Sequence, residues 1–306
     1  MRPRLSILRS WANPIIRKEL RGRMRGWRTF ALLSFHVLVM GVFVSGFYGL
    51  AVSTQNSMHT RFSAPQLGQT LFVGLTCIEM ILAAVITPAA TASAISGERE
   101  RQTLDMLRTT LLPGSAVVLG KLGVALLYMV LLLLAGLPLQ SLAFLIGGVT
   151  PIEVGAAVGL MFVTALLFGA AGIFFSSLTR RTLASTILTY SFILLNSVGT
   201  LLLIFPLDAA KSALMYNYDS AYQPVVETFF IYANWALACL NPFWAGFVSA
   251  QVFSDYHAAF YYTIVTTNYG YTLPLFSPWL PFLLLALSLS AAFLAVSVWR
   301  FNRAER

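Results

Sequence analysis

The stretch closest in form to a reactive site is Gly114-Ser115-Ala116-Val117-Val118-Leu119-Gly120-Lys121-Leu122, a glycine-flanked run ending in lysine, as a phosphate-cradling loop does. Its details do not fit that chemistry. Five residues rather than four separate the glycines, Leu122 stands where a magnesium-binding Ser or Thr belongs, and a long apolar run follows with no strand before it. His36, His59 and His257 are scattered, and no His, Cys or carboxylate spacing suits a metal. No Gly-x-Ser-x-Gly nucleophile motif is present. Cys77 and Cys239 are too few for a disulfide framework and read as apolar thiols. The chain is therefore expected to be non-catalytic, with no cofactor of its own.

What could act instead is charge. Gly97-Glu98-Arg99-Glu100-Arg101-Gln102-Thr103-Leu104-Asp105-Met106-Leu107-Arg108 places six charged residues in twelve positions between two apolar runs. Such a segment cannot lie in hydrocarbon; it must emerge into water and offer its charges there. With 58% hydrophobic and 10% charged residues, the remainder has too little polar material to coat a soluble globule. Its net charge of +9 does not point to nucleic acid, because Lys and Arg cluster at the ends and between apolar runs, as orientation signals do.

The elements that position this segment are membrane helices, and the fold class is an all-α integral membrane protein. At about 1.5 Å per residue, runs 29–53, 67–96, 115–147, 151–178, 183–205 and 280–298 can cross a hydrocarbon core of about 30 Å. The first run is too long for a signal peptide, and no small-residue cleavage site follows it, so it reads as an uncleaved anchor. Six spans place eighteen of twenty Lys and Arg on the cytoplasmic side, with only Arg61 and Lys211 outside, and both termini in the cytoplasm. Before the first span, residues 13–28 predict an interfacial amphipathic helix. Asn13-Pro14 supplies its start, Ile16, Leu20, Met24 and Trp27 its apolar face, and Arg17, Lys18, Arg21, Arg25 and Arg28 its basic face toward anionic lipid. Residues 97–112 predict a cytoplasmic helix.

Residues 206–276 are too long for a structureless loop and predict an external helical segment. Its apolar part, 224–254, is interrupted by Asn241-Pro242, a helix-start signal, and reads as two helices, external or re-entrant. Nine of the twelve tyrosines lie here. They suit either the outer membrane interface or the surface of an external partner.

Polar residues inside the spans are the remaining candidates. An ionised Glu79 at mid-span would cost roughly 2.5–3.5 kcal/mol and needs a partner, a cavity or a proton. At 100° per residue Gln69, Thr76, Glu79 and Thr87 share one stripe of the second span, and Thr189, Asn196 and Thr200 share another on the fifth. Two such stripes would line a path or hydrogen-bond packed helices. Gly155-x-x-x-Gly159 reads as a close-packing face.

The succession of basic helix, two spans, charged segment and four spans resembles the permease subunit of the type-2 family of ABC exporters. Ile95-Ser96-Gly97-Glu98-Arg99-Glu100-Arg101-Gln102-Thr103-Leu104-Asp105-Met106-Leu107 carries the strongest likeness, with Gly120-Lys121, Asn13-Pro14 before Arg17-Lys18-Glu19, and Leu240-Asn241-Pro242-Phe243. The family pattern often has Gly where this chain has Gln102. The resemblance implies two permease chains, identical or related, in the cytoplasmic (inner) membrane with two copies of a separate ATP-binding subunit that holds ATP and Mg. It implies that a helix from Glu98 to Leu111 docks on that subunit, with Leu104 and Leu107 as anchors and Glu98, Arg99, Glu100, Arg101, Asp105 and Arg108 around them. It also implies that the second and fifth spans face the central path. Two other readings stay open: a transmission subunit relaying ATPase motion to an external partner at 206–276, and an ion-coupled transporter or channel using Glu79.

Overall fold

The structure, a computed structural model, describes residues 27–57, 63–103, 113–217, 223–266 and 270–303. The expected interfacial helix lies outside the described residues except for its last two positions, which already belong to α1 (Trp27–Ser57). The other helices are α2 (Ala64–Thr91), α3 (Ser96–Glu100), α4 (Gly114–Ile146), α5 (Pro151–Leu178), α6 (Thr182–Leu194), α7 (Thr200–Asn217), α8 (Gln223–Leu240), α9 (Pro242–Tyr256) and α10 (Trp279–Arg303). A π turn, Leu195–Gly199, joins α6 to α7.

Among the described residues, six helical stretches are long and apolar enough to cross a membrane: Thr29–Ser53, Ala64–Glu100, Gly114–Ile146, Pro151–Leu178, Thr182–Met215 and Trp279–Arg303. The chain is an all-α, multi-pass membrane protein. The fifth stretch runs well past the expected end at 205. Pro206 lies inside α7 yet does not stop it, since a membrane helix tolerates proline where the freed carbonyl finds another donor. The α8–α9 pair bends by 118° at Asn241. There the Asn241 side chain accepts bonds from Phe243 N and Trp244 N and caps α9, as Asn-Pro at a helix start predicts.

A two-stranded antiparallel hairpin, β1 (Tyr261–Val265) and β2 (Thr272–Phe276), follows α9 with Tyr261 opposite Phe276. It is an addition to the helical segment expected there. Tyr262 and Leu275 face inward with Val252, against Ile231, Trp235 and Val248.

The chain divides into two compact units. The first holds the described residues of Met1–Val149, Thr164–Tyr190 and Leu289–Arg306, and the second those of Thr150–Val163 and Ser191–Ser288. In the first, α2 packs along α4, with α1 against both. Ala83, Met129, Leu132 and Ala165 form one apolar layer, and Ile95, Val117, Val118, Leu122, Ile173 and Phe301 form another. In the second, α7 packs on α8. Among the described residues, neither Gly155 nor Gly159 has a neighbour within 4 Å of where a Cβ would stand.

Candidate functional site

The charged segment begins at a break in the second span. Pro88 lacks the N–H that would bond Ala84, α2 ends at Thr91, and the chain turns over residues 92–95 before α3 starts. A break of this kind strands backbone groups near the membrane, where each unsatisfied one costs several kcal/mol. Side chains of three other spans satisfy them. Ser185 of α6 donates to Ala92 O at 2.5 Å, and Lys121 of α4 donates to Ala94 O. Ser176 Oγ of α5 accepts both Ile95 N and Ser96 N at 2.9 Å. Lys121, Ser176 and Ser185 are 7% exposed or less. The turn is thus a built junction.

The charged residues that follow are also engaged within the chain. Lys121 Nζ lies 3.2 Å from Glu98 Oε1, while Thr103 Oγ1 meets Glu98 Oε2. Arg99 Nη1 donates to Thr179 O at 3.0 Å, just past the end of α5. Glu100 accepts from Thr182 N at 2.9 Å and Thr182 Oγ1 at 2.8 Å, and so caps the start of α6 with a negative charge where a helix dipole favours one. Three consecutive side chains therefore tie α3 to the ends of α4, α5 and α6. Beside them is a cavity of about 370 Å³, bordered by Gly97, Glu98, Arg101, Lys121 and Thr182.

The expected helix from 97 to 112 is interrupted. α3 ends at Glu100, with Gln102 N bonded to Arg99 O and Thr103 N to Glu98 O, the paired bonds of a Schellman stop. Gln102 has φ +57°, the left-handed region that this motif requires and that glycine adopts most cheaply. Arg101 is exposed at the end of α3. Leu104, Asp105, Leu107 and Arg108 lie outside the described residues.

Within the second span, Glu79 is 1% exposed and accepts a 2.6 Å bond from Gln140 Nε2 of α4; its other oxygen has no partner among the described residues. That oxygen rests against Gly136, where a Cβ would collide with it and come within 3.2 Å of Met40 Sδ. Glycine is needed here because carboxyl and backbone approach so closely. His36 and Thr87 are 1% exposed and Thr76 8%, and the two hydroxyls have no partner among the described residues. Gln69 is half-buried.

The fifth-span residues have separate hydrogen-bond partners. Thr189 is fully buried and donates to Ser185 O in its own helix. In the second unit, Asn196 donates to Leu240 O at 3.2 Å, and Asn241 Nδ2 bonds Ser197 O and Thr200 Oγ1, each at 2.7 Å. Asn241 thus joins the π turn to the α8–α9 bend. The polar residues brought together in the first unit, Glu79 with Gln140, form a buried tie between α2 and α4.

Gln140 and Ser176 were not singled out as sequence candidates. Each sits beside a serine in an apolar run, Gln140 before Ser141 and Ser176 before Ser177, and no spacing rule pairs Gln140 with Glu79 or Ser176 with residues 95–96. Among the described residues, no three His, Cys, Asp or Glu side chains converge so as to hold a metal ion.

A family profile described as ABC-2 family transporter protein matches residues 13–306, and no curated protein matches the chain. The match covers nearly the whole sequence, so the chain belongs to this family and is a transmembrane subunit of an ABC transporter.

Proposed function

We propose that this ABC-2 family chain is the permease of an ATP-driven exporter, docked through α3 and the residues after it to a separately encoded ATP-binding subunit. The observation that carries this reading is the α2–α3 junction, whose backbone is held by Lys121, Ser176 and Ser185 from three other spans. A segment tied in this way cannot move alone. Displacing α3 displaces the ends of α4, α5 and α6 with it, which is what a transmission element between a motor and a membrane path needs.

In this reading the charged residues divide their work. Glu98, Arg99 and Glu100 are positioning residues that bind the segment to the spans. Arg101, with Leu104, Asp105, Leu107 and Arg108 beyond it, meets the partner. The ATP-binding subunit, in two copies, holds ATP and Mg; this chain performs no hydrolysis and pairs with a second permease chain. The spans lie in the cytoplasmic membrane with both termini inside, as the Lys and Arg distribution favours.

The test is affinity purification in mild detergent from the native membrane, with mass spectrometry of what accompanies the chain. An ATP-binding protein accompanying wild type and lost from Leu104→Asp/Leu107→Asp supports the reading. If the wild-type chain comes out alone, the motor-coupled reading fails.

A further inference from the structure

The β1–β2 hairpin has two faces of different fate. Tyr262, Leu275 and Ile264 turn inward onto α8 and α9. The opposite face, Tyr261, Thr263, Val265, Thr272, Pro274 and Phe276, is exposed along its whole length. Tyr261 and Phe276 pair edge to face across the strands with ring centroids 6.0 Å apart, and Phe260 and Tyr271 extend the patch at 55% and 58% exposure. An exposed apolar patch of this size marks a contact surface.

Charge and position identify what it contacts. Between Asp255 and Arg300 the sequence has no Asp, Glu, Lys or Arg, so the hairpin offers no ionic contact to a protein partner. One edge is closed to strand addition: Tyr232 and Trp235 donate to the carbonyls of Pro274 and Phe276, and Pro274 has no N–H. The base of the hairpin is fastened to the start of the last span. Ser277 N donates to Phe260 O, and Trp279 Nε1 donates to Ala259 O, both at 2.9 Å. Trp279 is the first residue of α10, so Phe260, Tyr261 and Phe276 lie beside the N-terminal end of that candidate span. Five residues at about 3.3 Å each then carry the strands roughly 16 Å along from it. Uncharged, rich in Tyr and Phe, and continuous with a membrane span, the face has the composition of an interfacial belt.

We infer that β1–β2 is a membrane-surface anchor whose outer face lies at the boundary between headgroups and acyl chains beside α10, holding the bent α8–α9 pair against the membrane. Its partner is the lipid interface itself. Having no charge, it does not discriminate anionic from zwitterionic lipid.

The test uses spin labels on the full chain in phosphatidylcholine vesicles, in a Cys77→Ala/Cys239→Ala background. Single labels are placed through Tyr261→Cys, Val265→Cys and Phe276→Cys, with Leu275→Cys as the inward control. The expected result is that the three outer labels collide readily with oxygen and poorly with a polar nickel chelate, and that added anionic lipid does not change this. High nickel access at these sites, as in a water-exposed loop, overturns the inference. Protection from both reagents, as under a second protein surface, also overturns it. Wild-type chain with a phosphatidylcholine bearing a photoreactive headgroup gives a check that needs no substitution: lipid adducts on 260–276 support the anchor, and adducts on the spans without any on 260–276 refute it.

Discussion

Lys121 is the side chain on which the junction between the second span and α3 depends most. It is 7% exposed, and its contacts include the Ala94 carbonyl and Glu98 Oε1. The two contacts have different worth. Glu98 is 32% exposed, so its carboxylate recovers hydration when the pair is broken, and that part is worth about 0–1 kcal/mol, as for a surface pair. Ala94 O belongs to a helix break beside the membrane, and loss of a charged donor there costs about 1–3 kcal/mol. Lys121→Met, which keeps most of the stem but not the ammonium, should therefore destabilise the protein by about 1–4 kcal/mol, whereas Glu98→Gln should cost no more than about 1 kcal/mol. The assay is unfolding in mixed micelles followed by tryptophan fluorescence, with the double variant closing the cycle. The coupling between the two substitutions should be at most about 1 kcal/mol. If Lys121→Met lies within about 0.5 kcal/mol of wild type, as unremarkable surface substitutions do, the junction is not held in the way argued.

Other perturbations follow from the same geometry. Gln102→Gly removes a left-handed non-glycine residue from the stop after α3 and should stabilise the protein by about 0.5–1 kcal/mol in the same unfolding assay. Gly136→Ala places a methyl against the Glu79 carboxyl and should cost about 1–3 kcal/mol by overpacking; adding Glu79→Ala should recover much of that loss, so the pair is strongly non-additive. Asn241→Ala removes the α9 cap and both donors to the π turn and should cost about 2–4 kcal/mol, while Asn241→Asp keeps the cap and falls between. Burial pushes the Tyr262 phenol up to about 12, with Tyr256 and Cys239 nearby adding to it. The neutral form is the one the hairpin packing favours, so this packing should be unaffected by pH below the ordinary tyrosine value of about 10 and weaken as pH rises through about 12, which ultraviolet titration of tyrosine ionisation can follow.

The parts of the fold legible in the sequence are those that hydropathy and helix-start chemistry control. A run such as 151–178 is apolar at nearly every position and has one outcome in a bilayer, and Asn241-Pro242 marks the start of α9 with a capping side chain and a fixed φ. The strands at 261–265 and 272–276 were less legible. Both are short, and without the inward contacts of Tyr262 and Leu275 their alternation resembles any aromatic-rich surface segment. The charged segment was legible as a place but not as a set of roles. Sequence shows that Glu98, Arg99 and Glu100 leave the hydrocarbon, but their acceptors and donors lie 23 to 82 residues away. The same holds for Glu79: its need for a partner follows from burial alone, whereas Gln140, 61 residues on, is chosen by how α2 packs on α4.

The central claim is that the exposed end of α3 faces an ATP-binding subunit. A photoreactive cross-linker placed at Arg101, the exposed residue next to α3, tests this in the native membrane, with one at Val265 on the hairpin as control. Capture from Arg101, and not from Val265, of a protein with a phosphate-binding loop is the predicted result. Capture of lipid alone, or of no such protein, at Arg101 in membranes where the chain is present would contradict the account.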